Sequence, residues 1–353
     1  MRRHGHARTF LTASTLFIGS WALTGQVPER PRTVIQQRLG LSRSEAGALE
    51  RGQSFAKTLR VGDRREIAAG GAIRVDVPVE FFLQRFADIV SFKQSPIVRQ
   101  IGKFSEPPRR TDLEPLTFEA ADLDSLKTCR AGDCDIQLSA EQIQRIQTGI
   151  DWSRTDARMQ ANRVLRGVLF EYVERYRNSD GRALLAYANE RAPLSVSDEL
   201  RLLTAHSSQI VAGVPEFVDS LVNGTPLEGT DEFIYWSKEQ FGLKPVVSMT
   251  HVIIYSPRRA DLPDVMIASK QIYASRYLAA SLAITLGVVP SAGPGSSFYM
   301  VYANRTRPRA FPPLVGGLVR RIAQGQTRDG LEEQLSLAKV RLESAYRSPA
   351  LRQ

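Results

Sequence analysis

The sequence predicts an α+β fold: an antiparallel sheet wrapped round a long C-terminal helix, interrupted by a mainly helical insertion. Three stretches carry that expectation. Val246 to Tyr255 is dense in β-branched and aromatic residues and stops before Pro257, which reads as a strand. Phe298 to Asn304 reads as another, after the turn-forming run Pro290 to Gly295. Beyond Pro312-Pro313, Leu331, Leu335, Ala338, Leu342 and Ala345 recur at helical spacing and predict the closing helix.

The chain of 353 residues is long enough to bury a full core, and its 42% apolar and 24% charged residues are an ordinary globular balance. The formal charge is +10, scattered along the chain and not gathered in one run. A basic surface of this kind attracts anionic polymers or lipid, and nucleic acid is not an expected partner of an exported chain. Export is read from the first residues. Arg2, Arg3 and Arg8 precede a charge-free run from Phe10 to Leu23, and Ser20-Trp21-Ala22 supplies small residues at a cleavage site. The apolar run is shorter than the roughly 20 residues of a comfortable membrane span, so residues 1–22 are expected to be a cleaved signal peptide. An uncleaved anchor is the less favoured alternative. Removing the three leader arginines leaves +7.

In chain order, Gln26 to Arg32 carries Pro28 and Pro31 and reads as a tether. Ser42 and Glu45 form a capping box for a short helix. From Ile67 to Val77, Ile73, Val75 and Val77 alternate with Arg74 and Asp76, a half-buried strand. Pro78 then suits a helix start, and Phe82, Phe86, Ile89 and Val90 give one apolar helical face. Pro107-Pro108 marks a boundary, and residues 106–240 read as a mainly helical insertion beside the sheet, with a lid as one role. Its longest stripe runs Val164, Leu165, Val168, Leu169, Tyr172, Val173, Tyr176. Ile272 to Val289 reads as one strand with Leu278, Leu282, Ile284 and Leu286 on one face and Tyr273, Tyr277, Ser281 and Thr285 opposite; Ala279 to Ala283 would equally suit a helix on propensity.

The order strand, Val77-Pro78, then an amphipathic helix ending Ala87-Asp88-Ile89, resembles the opening of the START-like or SRPBCC (helix-grip) superfamily. The late strand from Tyr299 to Arg307, Pro312-Pro313 and the long closing helix resemble its end. That resemblance covers roughly residues 50–105 and 245–346 and implies an apolar cavity between sheet and C-terminal helix. It implies no catalytic residue, because the superfamily shares none. The expected division is 23–105 and 241–353 as the two parts of one helix-grip-like domain, with 106–240 between them.

The chemical inventory is thin. Cys129 and Cys134 are the chain's two cysteines, with no histidine near; a disulfide pinning a turn at Gly132 is favoured over a four-ligand zinc site or a redox pair. There is no Gly-x-Ser-x-Gly elbow and no phosphate-binding loop, so no catalytic residue, metal or cofactor is expected. Carboxylate catalysis stays open, since acids distant in sequence can meet in space. His251 shares its strand face with Val247, Met249, Ile253 and Tyr255; it reads as a hydrogen-bonded core histidine or, more sharply, as a polar handle in a ligand cavity. Tyr255, Tyr273, Tyr277 and Tyr302 complete the ligand-cavity candidates. The expected function is an exported, periplasmic or secreted, non-enzymatic carrier of a hydrophobic small molecule or lipid, with an anionic membrane surface as a second contact. An envelope enzyme acting on a lipid or polymer and a protein interaction module are the alternatives.

Overall fold

The computed structural model describes residues 26–240, 243–290, 296–309 and 316–348. The predicted signal peptide, the glycine-rich turn at 291–295 and Pro312-Pro313 lie outside them. The chain runs through α1 (Glu29–Leu39), α2 (Arg43–Glu50), β1 (Phe55–Thr58), β2 (Ile67–Val75), α3 (Val79–Ala87), α4 (Ile89–Phe92) and β3 (Val98–Lys103). Next come α5 (Ala120–Ser125), α6 (Ala140–Gly149), α7 (Ala157–Asn178), the short ribbon β4 (Ala186–Tyr187) and β5 (Leu194–Ser195), α8 (Val196–His206) and α9 (Pro215–Asn223). The sheet then resumes with β6 (Thr230–Glu239), β7 (Val246–Tyr255), β8 (Val265–Ala274), β9 (Leu278–Val288) and β10 (Phe298–Pro308), and the chain closes with α10 (Gly316–Arg347).

One eight-stranded sheet, in the order β1-β2-β10-β9-β8-β7-β6-β3, organises everything else. Each neighbouring pair is antiparallel. The long C-terminal helix and large antiparallel sheet are compatible with a helix-grip arrangement. Because side chains alternate along a strand, each strand offers one set of residues to either face. On one face, Ile73, Val75, Val252, Ile254, Val265, Ile267, Phe298 and Met300 meet α3, α4 and the second half of α10 through Phe81, Phe82, Leu335 and Leu342. On the other, Val247, Met249, Ile253, Ile272, Leu282, Ile284 and Leu286 join a continuous core with α1 and α5 to α9. At 32 residues, α10 is about 48 Å long, enough to run the height of the sheet.

Several local expectations change. The stretch read as a tether is the start of α1, because Arg30 reaches Asp264 at 2.8 Å and the Val289 and Leu262 carbonyls. The strand from Ile67 is not half-exposed: α10 covers one face and α1 the other, so even its glycines and alanines are buried. Residues 272–289 contain two strands, β8 and β9, divided by a turn at which Tyr277 adopts a positive φ of 64°. The sheet resumes at Thr230, inside the span read as insertion. Nor does the insertion pack as a lid would: it shares the core of the sheet, and Arg276 and Asp122 form an ion pair at 2.7 Å with both side chains about 6% exposed. Arg307 is likewise buried between Glu199 of α8 and Asp63.

Candidate functional site

Part of one face stays partly open at the centre of the sheet. α10 packs chiefly on β1 and β2 and touches α3. On β9 the insertion-facing residues Leu282, Ile284 and Leu286 are buried, yet Ser281, Ala283 and Thr285 on the α10 side keep partial exposure. Ser269 and Gln271 of β8 and Tyr302, Asn304 and Thr306 of β10 repeat the pattern. Register joins them into rows: Ala283 lies beside Ser269 and Asn304, Thr285 beside Ile267 and Tyr302. These small and polar residues make a partly open strip across three strands, termed the trough below, with the strip as its floor. Its apolar end is closed by aromatics, with Phe82 stacked on Phe298 at 5.3 Å between ring centres and Phe86 near Phe92 and Phe233.

A charged cluster overhangs that floor. Asp88 caps α4 by accepting from the Ser91 N–H, and the chain leaves α4 at Lys93. Lys93 Nζ donates to Glu239 at 3.1 Å and to the Tyr235 hydroxyl at 3.2 Å, and lies over the Tyr235 ring. Ser237 donates to the same Glu239 oxygen at 2.8 Å. Burial works against the ammonium, but the Tyr235 and Glu239 oxygens outweigh it and hold the Lys93 pKa above its ordinary value. The Tyr302 hydroxyl is pushed up to about 12, first by burial and then by Tyr235 and Glu239, with Lys93 opposing. Tyr302 stands on β10 and Tyr235 on β6, with three strands between. In a flat sheet four strand spacings amount to about 19 Å. The two phenols still influence each other electrostatically across this face.

The sequence-derived candidates divide between the two faces. Tyr302 belongs to the trough. His251, Tyr255 and Tyr273 look toward the insertion, and Tyr277 is an exposed residue of the β8–β9 turn. Tyr273 departs from the predicted alternation because a register shift in the β7–β8 pairing, between Met249–Tyr273 and Thr250–Gln271, puts it on the same face as Ile272. Both nitrogens of His251 are engaged: Nδ1 with the Tyr176 hydroxyl at 2.9 Å and Nε2 with Glu232 at 3.1 Å. An ionised Glu232 accepts only, so Nε2 carries the proton and Nδ1 accepts from Tyr176. Burial lowers the His251 pKa, with Glu232 opposing and Lys270 adding to the fall. Lys270, buried beside the Tyr176 ring, donates to the Leu221 carbonyl at 3.4 Å and is lowered to about 8 by burial. Tyr255 donates to Glu216 at 3.3 Å and stacks on Phe217. Cys129 and Cys134 are bonded, with Cα atoms 4.5 Å apart and Gly132 at φ +85° in the turn.

The residues that sequence reasoning missed are Lys93, Tyr235, Glu239 and Gln271. None sits in a motif. The one available signal was on β9, where Ser281, Ala283 and Thr285 interrupt an otherwise apolar strand at every second position. Among the described residues no group of histidine, cysteine and carboxylate side chains is arranged to hold a metal.

No protein-family model matches the chain, and no curated protein matches it. Among solved structures, the Zhui aromatase/cyclase from Streptomyces sp. R1128 aligns with 38% of this chain and 85% of its own length, at 11% identity and a TM-score of 0.25. Similarity at that level supports no conclusion about fold or function, and none is drawn from it.

Proposed function

We propose that the chain binds a hydrophobic small molecule, lipid-like in character, in the trough between the sheet and α10, and that it carries this ligand outside the cytoplasm without transforming it. One observation bears most of the weight: the central strands of an eight-stranded sheet keep a contiguous, partly exposed row of small and polar side chains on one face. Ligand sites are concave, mostly apolar and fixed by a few placed polar groups, which is the composition of this strip and its aromatic end. The aromatic end suits an apolar body, and the hydroxyl and amide floor suits a polar edge. Lys93 and Glu239 neutralise each other, which fits recognition better than proton transfer. Export is supported by the Cys129–Cys134 disulfide, which fits an oxidising compartment. No helix among the described residues is long and apolar enough to cross a membrane.

The neutral fluorescent probe N-phenyl-1-naphthylamine tests the reading. Its emission is expected to rise on mixing with the protein and to stay at the solvent level with Ala283→Trp, whose indole would fill the floor. Equal enhancement by both proteins would place the probe elsewhere and overturn the proposal.

A further inference from the structure

The floor of the trough carries polar groups that the protein does not satisfy. Gln271 Oε1 is buried with no hydrogen-bond partner. Among the described residues, the hydroxyls of Ser269, Thr285 and Tyr302 also make no hydrogen bond. Asn304 uses its carbonyl oxygen to accept from Ser281 at 3.1 Å, leaving its NH2 group without a partner. Ser269, Thr285, Tyr302 and Asn304 stand in the paired rows of β8, β9 and β10, and Gln271 follows Ser269 two residues further along β8. Of these atoms Gln271 Oε1 is the buried one; a buried acceptor without a partner costs on the order of 1–3 kcal/mol, and the partly exposed groups beside it are open to whatever meets that acceptor.

The chemistry of that supply is constrained. Gln271 Oε1 needs a donor, and Asn304 offers donors. Only a group that both donates and accepts, such as a hydroxyl, matches the whole row. A carboxylate or phosphate only accepts. It would leave Gln271 Oε1 unpaired; Lys93 is already neutralised by Glu239 at 3.1 Å, and Lys103 lies at the aromatic end over the Phe233 ring, away from the row. Burying an uncompensated anion there would be costly. Bare hydrocarbon would fill the aromatic end and leave the row unsatisfied.

Building on the proposed trough site, we infer that its ligand is an uncharged amphiphile with several hydroxyl groups along one edge, an alkyl glycoside or a polyhydroxylated ring being the chemical class. The apolar body lies against Phe86 and Phe92, and the hydroxylated edge lies on the floor.

Isothermal calorimetry with two probes of equal chain length, octyl glucoside and octanoate, both below their critical micelle concentrations at neutral pH, tests this. Octyl glucoside is expected to bind at least tenfold more tightly than octanoate. That preference should collapse in Gln271→Leu with Thr285→Val, while the melting temperature stays at or above that of the parent. Equal binding of the two probes, or tighter binding of octanoate, with both blocked by Ala283→Trp, would overturn the hydroxyl inference and leave the trough as the binding site. Binding of neither probe would overturn the inference as well. Binding of both by Ala283→Trp as by the parent would remove the site itself.

Discussion

Lys270 and His251 show how much a single buried charge decides. Lys270 holds its proton until about pH 8, against an ordinary value near 10.5. The folded pKa is the lower one, so the unfolded chain binds the proton more tightly and folding is penalised wherever both forms are protonated. At neutral pH that penalty is on the order of 3 kcal/mol, at about 1.4 kcal/mol per unit. Lys270→Met should therefore raise stability in urea by roughly 2–3 kcal/mol at pH 7, less what the Tyr176 contact contributed. The gain should shrink as pH climbs from about 8 toward 10.5, where the wild type loses its proton on folding. A destabilised variant at pH 7 would mean that the ammonium is stabilised by its surroundings. His251 has the same sign at lower pH: its folded pKa lies below the ordinary 6.5, so stability should fall as pH drops below that value. A urea midpoint that is flat from pH 7 to pH 5 would contradict this. Residue identity alone revealed the face on which His251 lies, since Val247, Met249 and Ile253 share it. Its partners Tyr176 and Glu232 came from other elements, which no local spacing discloses.

At the scale of elements, glycine positions report where backbone must approach backbone. A Cβ on Gly71 of β2 would come within 2.3 Å of the Phe55 carbonyl oxygen and 3.0 Å of Leu335 on α10. Gly71→Ala should prise β1 or α10 from the sheet and cost about 1–3 kcal/mol in chemical denaturation. Gly330, in α10 with nothing within 4 Å of the added atom, is the control. Gly330→Ala should stabilise by about 1 kcal/mol through helix propensity. If both substitutions behaved alike, the close packing at Gly71 would be disproved. The disulfide is a local device: its ring closes over a sequence separation of five, so Cys129→Ser with Cys134→Ser should cost about 2 kcal/mol and leave the sheet folded. Denatured, unreduced wild-type protein should titrate with no free thiol, and two would refute the bridge. Elements with a strong local signature were legible: the Ser42–Glu45 capping box, the Phe82–Phe86 helix face and the Leu335–Leu342 stripe of α10 all appear. The β8–β9 division was not, because Tyr277 is an unusual residue at positive φ and Ala279 to Ala283 gives no turn signal. The register shift near Tyr273 was equally silent.

The whole molecule is two cores packed on opposite faces of one sheet, with part of one face left partly open at the centre. The insertion belongs to the larger core, with Tyr172 donating to the Ile272 carbonyl at 2.7 Å and Trp236 to the Asp112 carbonyl at 2.8 Å. Removing residues 106–229 should therefore yield insoluble protein; a soluble, cooperatively melting product would make the insertion a separable module. The trough itself was legible only as a class of architecture, because its floor is assembled from β8, β9 and β10 and its overhanging charges from α4 and β6. The central claim is that this space holds a ligand. Native mass spectrometry of protein purified from its own host, before and after organic extraction, tests it most directly. Wild type is expected to carry a discrete small-molecule mass that extraction removes and that Ala283→Trp never acquires, both proteins melting within a few degrees of each other. Wild type that is consistently empty, or Ala283→Trp carrying the same mass, would contradict the account.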